Sequence, residues 1–384
     1  MRSTFLPFSP PLIGDEEIAE VVDTLRSDWI TTGPKTKRFE AEFGQYVEAP
    51  AALAVNSCTA ALHTALVALG IGPGDEVITT TLTFAASVNV IEHVGARPVL
   101  VDVEPDTLNM NPVLVEKAIT PRTKAIMVVH HSGHPADLDA LRALAEPRGI
   151  PIIEDAAHAV AARYKGRPIG SGNNPAAFSF YATKNLTTAE GGMLTGDPEF
   201  VERCRVISLH GLNREAWKRY GKEGSWYYEV VFPGFKYNMT DLQASLGLVQ
   251  LRRLEAMQSR RRAIVAAYQR EFASLDAFQT PIARPEVEHA WHLYVLRLWP
   301  ERLNMTRNQF IEELKARNIG TSVHFIPIHI HPYYRDKYGY KPHDFPVAFD
   351  SYERMVSLPL SPRLSDQDVA DVIDAVLDVA ATRV

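Results

Sequence analysis

Cysteine is nearly absent from this chain, which carries only Cys58 and Cys204 in 384 residues. Two thiols cannot build a disulfide framework or a cysteine-rich metal site, so a reducing, cytoplasmic setting is expected. Long hydrophobic runs are missing as well. No stretch approaches the roughly 20 apolar residues that span a bilayer, which excludes an ordinary membrane helix. Prolines interrupt the N-terminus before the apolar core of a secretory signal could form. There is no basic excess: 40 Lys and Arg against 46 Asp and Glu give a net charge of -6, which argues against a large nucleic-acid footprint. The one conspicuous basic run, Arg260 to Arg262 with Arg252 and Arg253 upstream, lies in a helical pattern and reads as a solvated helix face. No internal repeat or low-complexity linker is visible. A soluble protein with neither nucleic acid nor membrane as partner is what these absences leave.

What is present is an ordinary globular composition, 46% hydrophobic and 22% charged. The length exceeds the roughly 250–300 residues that one hydrophobic core usually holds, so two domains are expected. The first half alternates helical spacing (16–27, 39–46, 60–69, 84–94, 138–146) with short apolar, strand-like runs (51–55, 76–80, 98–103, 125–129, 151–155). Near-continuous apolar strands between helices indicate an α/β fold with a mainly parallel sheet covered on both faces. Beyond Lys184 the texture changes. One or two long helices occupy 239–272, with Asn238 or Thr240 as start signal. Strand-like stretches follow at 291–298 and 321–325, with helices at 307–317 and 365–381. The expected division is a large domain over 1–250 and a smaller α+β domain over 251–384.

The strongest chemical constellation is Asp155 at a strand end, then Ser179, then Lys184 in an apolar loop punctuated by Ser and Thr. Each alone is unremarkable: a strand-end carboxylate and a surface lysine. Together they match what pyridoxal 5′-phosphate (PLP) requires of a protein. A lysine must hold its aldehyde, an acid must keep its pyridine nitrogen protonated, and donors must cradle its phosphate. A fixed anion favours the charged pyridinium, and partial desolvation favours a neutral, nucleophilic lysine amine. The segment Asn56-Ser57-Cys58-Thr59-Ala60, between a strand and a helix, offers backbone N–H groups and hydroxyls suited to phosphate. Its ordinary role would be an N-cap, and the two are compatible. Phe84 could lay its ring on the cofactor, although a lone aromatic is more often core. Gly70 to Gly74 looks like a dinucleotide loop, but it follows a helix and enters a strand, the reverse of the required order. His130, His131 and His134 match no metal-ligand spacing, read as loop packing, and leave no metal expected.

With those residues in view, the chain resembles the DegT/DnrJ/StrS family of sugar aminotransferases. Glu154-Asp155-Ala156-Ala157-His158, Phe178 to Thr187 around Lys184, and Glu190-Gly191-Gly192-Met193 carry the likeness. It extends to Trp29 to Pro34, Gly72 to Ile78 and Pro233 to Ala244, so nearly the whole chain is covered. It is most similar in look to the branch typified by UDP-4-amino-4-deoxy-L-arabinose aminotransferase, through Ala290-Trp291-His292-Leu293, His324-Phe325, His329 and Tyr333 to Arg335. The stretch Ile326 to Pro332 departs from that branch toward hexose-modifying members.

The resemblance implies fold type I and a homodimer with shared active sites. It implies Lys184 as the Schiff-base lysine, Asp155 on the pyridinium and His158 beside the ring. Ser57, Cys58, Thr59 and Ser179 would surround the phosphate, joined by Asn238 of the other subunit, with Phe84 stacked on the ring. Thr32, His324 and His329 would meet the substrate, although each histidine also has an ordinary reading as a packed or capping residue. The expected reaction moves an amino group from glutamate to a nucleotide-linked 4-keto sugar. The alternatives are a 3-keto sugar, a keto-cyclitol, or a non-catalytic regulatory protein, which would have no need of Lys184, Asp155 and Ser179 together.

Overall fold

A computed structural model of the chain describes residues 2–212 and 227–381. The first apolar runs form strands β1 (Ala51–Val55), β2 (Glu76–Thr80), β3 (Arg97–Val101), β4 (Thr123–Val129) and β5 (Ile152–Asp155). A small hairpin, β6 (Arg163–Tyr164) and β7 (Arg167–Pro168), precedes β8 (Ala176–Ser179) and β9 (Gly192–Gly196). The central sheet runs β1-β9-β8-β5-β4-β2-β3. Only β9 opposes the rest, because its pairings with both β1 and β8 are antiparallel while β8, β5, β4, β2 and β3 pair in parallel. Six strand C-termini therefore share one edge of the sheet, with the start of β9 beside them. Ligands of open parallel sheets sit at that edge.

Helices 15–26, 34–46, 58–68, 85–93 and 138–145 match the helical spacing read from the sequence. The second begins earlier than its apolar pattern, for a long-range reason. The buried Asp241 carboxylate accepts from the N–H groups of Gly33 (2.8 Å), Lys35 (3.0 Å) and Thr36 (2.9 Å), capping the helix across more than 200 residues of sequence. An anion at a helix N-terminus also meets the positive end of its dipole.

The stretch 239–272 is a single helix, Asp241–Phe272, opened by a capping box between Thr240 and Gln243. Its first half packs Leu248 and Leu254 into the core around Phe39, Phe43 and Phe178. Its second half packs Ile264, Tyr268 and Phe272 into a separate core with Tyr294, Phe310, Val356 and Val372. Position 250 thus lies inside one continuous helix, and Leu6 from the N-terminus joins the second core. That core is built on β10 (Phe278–Gln279), β12 (Tyr294–Leu298) and β13 (Met355–Leu358), an antiparallel sheet in the order β10-β12-β13. The short β11 (Val287–Glu288) instead pairs with β6 of the larger unit.

The strand expected at 321–325 does not form; a single bridge, Ser322 to Ser357, is its contact with β13. Arg261 departs from the solvated-face reading. It is buried and donates to the Leu360 carbonyl at 3.0 Å, while Arg260 pairs with Asp366. Among the described residues no helix is long and apolar enough to cross a membrane.

Candidate active site

Loops leaving the common strand edge after β1 and β5 bring Cys58, Asp155 and His158 near Lys184, which follows β8. From β1 comes the turn into helix 58–68. Ser57 is its N-cap, with Oγ accepting from the Ala60 N–H at 3.1 Å. Helix geometry leaves the N–H groups of Cys58 and Thr59 without intrahelical acceptors, so they remain for an anion. The Cys58 side chain does not join them. It is buried, and its thiol points to the Ala177 carbonyl at 3.3 Å and to Asp155 at 3.9 Å. The start of β9 presses against this turn, since a Cβ on Gly192 would lie 2.6 Å from the Cys58 nitrogen. Any side chain there would displace the Ser57–Cys58 backbone.

From β5 come Asp155 and His158. Asp155 pairs in register with Ala177 of β8, which sets it two residues before Ser179, the last residue of that strand. Its carboxylate accepts from Ser87 Oγ at 2.7 Å and from the Ala157 N–H at 3.1 Å. Burial pushes its pKa up, while those hydrogen bonds and Lys184 oppose the shift. A pyridinium is the kind of partner that would restore the balance, because an opposite charge favours the ionised form. His158 is buried with Nδ1 lacking a hydrogen-bond partner among the described residues. Its ring lies 4.4 Å from that of His292 and 5.7 Å from that of Phe325, nearly parallel to the latter. Burial, then Lys184 and the neighbouring histidines, hold it neutral.

Lys184 closes the turn after β8. Burial lowers its pKa to about 8, against the opposing pull of Cys58 and Asp155. The sign follows from the charge: desolvation penalises the ammonium, so the neutral amine that attacks an aldehyde is populated at a lower pH than for a free lysine. In the cofactor-free protein, covalent attachment of added PLP should accelerate as pH rises through about 8 and level off above it. A stopped-flow rate still climbing steeply toward pH 10 would show that Lys184 keeps an ordinary lysine's basicity.

Phe84 stands at the N-terminal end of helix 85–93 with its ring 62% exposed, an open aromatic face at the site's rim. Asn238 is brought beside the start of the Ser57 turn within its own chain. It bridges to Val55, its amide donates to Thr32 Oγ1 at 2.6 Å, and its carbonyl oxygen accepts from Lys236. Thr32 in turn donates to the Met239 carbonyl. His324 reaches the cluster through the segment that replaces the expected strand. Its Nδ1 bonds Ser357 Oγ at 2.8 Å, its ring stacks on Phe8, and burial drives its pKa to about 3.

His329, the other substrate candidate, is held by the protein itself. It is 0% exposed and both ring nitrogens are engaged, Nδ1 with Thr81 Oγ1 at 2.7 Å and Nε2 with the Pro342 carbonyl at 2.9 Å. A carbonyl only accepts, so Nε2 carries the proton and Nδ1 takes the threonine's. No ring nitrogen remains for a sugar. His329→Ala should therefore cost stability, about 1–3 kcal/mol for stranding a buried donor and acceptor, and spare the ratio of the two half-reactions. Urea unfolding read beside single-turnover absorbance would separate these outcomes.

The histidine group at 130–134 is bound into the loop. His130 bonds Glu154 at 3.1 Å, and His134 accepts the Arg284 N–H at 3.2 Å. Among the described residues no group of His, Cys, Asp or Glu could hold a metal ion. Several residues of the site carry no sequence signal of their own. Ser87 sits one helical turn beyond Thr83, and His292 and Phe325 arrive from the C-terminal region. Asn185 is locked by the Ala290 carbonyl at 2.7 Å and by His292 at 3.1 Å. A spacing search could have flagged Ser87, but nothing local distinguishes the others.

The donor set suits PLP: helix N–H groups with Ser57 and Ser179 for a phosphate, a buried carboxylate, an imidazole whose Nδ1 has no partner among the described residues, an exposed aromatic residue and a lysine whose basicity burial lowers. The comparisons agree. Residues 11–377 match the family model described as the DegT/DnrJ/EryC1/StrS aminotransferase family. The chain is 56% identical over 380 residues to the spore coat polysaccharide biosynthesis protein SpsC of Bacillus subtilis (strain 168), covering 98% of each. It superposes with a TM-score of 0.91 on the PLP form of Spr1654 of Streptococcus pneumoniae, assigned as a sugar aminotransferase, at 39% identity over 99% of this chain and 100% of that one. It superposes with a TM-score of 0.89 on DesV of S. venezuelae in complex with a ketimine intermediate, at 38% identity over 98% and 99% of the two chains. The chain belongs to the DegT/DnrJ/EryC1/StrS family of PLP-dependent sugar aminotransferases and has their fold type I architecture.

Proposed function

We propose that this protein transfers an amino group from L-glutamate to the 4-keto carbon of a nucleotide-linked sugar. The observation that carries the reading is the convergence of Lys184, Asp155 and the Ser57 turn at one strand edge within a chain of sugar-aminotransferase sequence. The likeness to a polysaccharide-biosynthesis protein supports an activated sugar as acceptor, and the resemblance of 290–293 and 324–325 to the arabinose branch supports the 4-position. When bound, PLP supplies an electron sink and a temporary home for the amino group.

The protein's own part is to bind, orient and move protons. Ser57, Thr59, Ser179 and the helix N–H groups would hold the phosphate, and Asp155 would hold the pyridine proton. Phe84 would cover one face of the ring, with His158 beside it. Lys184 would anchor the cofactor and then, released, carry a proton on Nζ. Thr32 and His324 would line the substrate side. The test is a panel of nucleotide-linked 4-keto and 3-keto sugars and keto-cyclitols, each offered with glutamate. The expected product is a 4-amino sugar, seen as the mass change and located by NMR. Turnover confined to 3-keto sugars or cyclitols would overturn the assignment.

The same reading includes a homodimer in which Asn238 serves the partner's phosphate site. Ile18, Leu25, Ile30, Val230 and Val231 are exposed and would be available to a second copy. Mixing inactive Lys184→Ala chains with inactive Asn238→Asp chains should restore part of the activity, because one hybrid site is intact. No recovery, with subunit exchange shown by mass, would place Asn238 in its own chain's site.

A further inference from the structure

We infer that Ser87 is a positioning residue for the reaction: its hydroxyl, oriented by Thr83, holds the Asp155 carboxylate ionised and aimed for the cofactor's pyridine nitrogen. The inference rests on the reading of Asp155 given above and adds to it the two residues that set its state.

Three buried oxygens form a chain. Thr83 Oγ1 lies 2.7 Å from Ser87 Oγ, and Ser87 Oγ lies 2.7 Å from Asp155 Oδ2. Ser87 is 0% exposed and Thr83 2%, so water does not compete for these contacts. Directions follow from chemistry. A carboxylate only accepts, so the single Ser87 proton goes to Asp155, and Thr83 must then donate to Ser87. The rival acceptor for the Ser87 proton, the Phe84 carbonyl, is 3.4 Å away and loses to the shorter, charge-assisted bond.

Nothing else on the carboxylate can substitute. Oδ1 accepts the Ala157 N–H at 3.1 Å, and the Cys58 thiol, a weak donor, stands 3.9 Å off. Among the described residues Ser87 is thus the one hydroxyl serving Asp155. Burial drives this carboxyl toward its protonated form, and the Ser87 bond works against that. A protonated Asp155 would no longer favour a charged pyridine ring. Thr83 and Ser87 flank Phe84, so one short segment would set both the stacking face and the ionisation of the acid.

The test compares Ser87→Ala, Ser87→Thr, Thr83→Val and Asp155→Asn. Two quantities are read: the dissociation constant for PLP on reconstituting apoprotein, and the pH titration of the bound cofactor's visible absorbance. Loss of a hydrogen bond to a charged group predicts roughly 10- to 100-fold weaker PLP binding for Ser87→Ala. Its absorbance titration should shift in the same direction as that of Asp155→Asn, and by less. Ser87→Thr keeps the hydroxyl and should stay within about threefold of the parent protein, given the size of a retained bond. Should Ser87→Ala fail to fold, Thr83→Val carries the expectation at roughly 2- to 10-fold, the worth of a neutral hydrogen bond. A purely structural serine would lower the melting temperature and leave the titration where it was. Asp155→Asn altering both readouts while the Ser87 and Thr83 variants alter neither would overturn the inference. Asp155→Asn altering neither would overturn the reading of Asp155 and this inference with it.

Discussion

Lys184→Ala should abolish transamination, lowering turnover by at least the roughly 10²–10⁴-fold that a positioned general base contributes. The loss should exceed that range if covalent anchoring counts as well, because residues acting as one unit are not additive. The change removes the amine whose basicity burial has brought down to about 8. It leaves the phosphate turn and Asp155 untouched, so the variant should still bind PLP, without the covalent bond. Borohydride treatment of the parent protein should add the cofactor's mass to the peptide containing Lys184, and the variant should gain none. Mass on a peptide bearing another lysine, with Lys236 beside Asn238 the first to check, would sink the assignment.

Asp155→Asn should come next in size. The substitution keeps the side chain's shape and removes its charge. Ser87 and the Ala157 N–H donate to different carboxylate oxygens, so the amide oxygen can keep the Ala157 N–H while the Ser87 hydroxyl turns to accept from the amide NH2. What is lost is the anion facing the pyridinium. Removing one partner of a buried charge pair typically costs about 2–5 kcal/mol, equivalent to roughly 30- to several-thousand-fold in rate. Both half-reactions should fall together, since both draw on the same electron sink. The pH dependence should change as well. In the parent protein Asp155 serves only as the anion, so its protonation at low pH should give an acid limb in the rate profile. The variant has no carboxyl to titrate and should lose that limb. Keeping it would assign the limb to another group.

The strands from β1 to β5 were legible because buried parallel strands are written as short apolar runs, and helices 15–26, 138–145 and 366–381 because their apolar residues repeat at helical spacing. The start of helix 241–272 was legible for a local reason too, the Thr240–Gln243 capping box. The strands β8 and β9 were not. Their residues, Ala176 to Ser179 and Gly192 to Gly196, are small or mixed, and what makes them strands is the pairing of each with its neighbour. The stretch 321–325 shows the opposite failure. Its β-branched and aromatic residues suggested a strand, but His324 and Phe325 are taken up by ring contacts with Phe8 and His158, and its backbone pairing with β13 is the single Ser322–Ser357 bridge.

Asp155 and the Ser57 turn were placed by the sequence itself, because one ends an apolar strand run and the other starts a helix, whereas Lys184 was singled out by its company with them and by the family likeness. Tertiary structure alone decided what surrounds them. Ser87 meets Asp155 across 68 positions, Asp241 caps the helix at Pro34 from the far side of the chain, and His292 and Phe325 reach His158 from the C-terminal region. It also gave both ring nitrogens of His329 protein partners, Thr81 and Pro342. A histidine's bonding depends on which atoms lie within about 3 Å of it, and no periodicity or spacing along the chain encodes a distance between residues that meet only when the chain is folded.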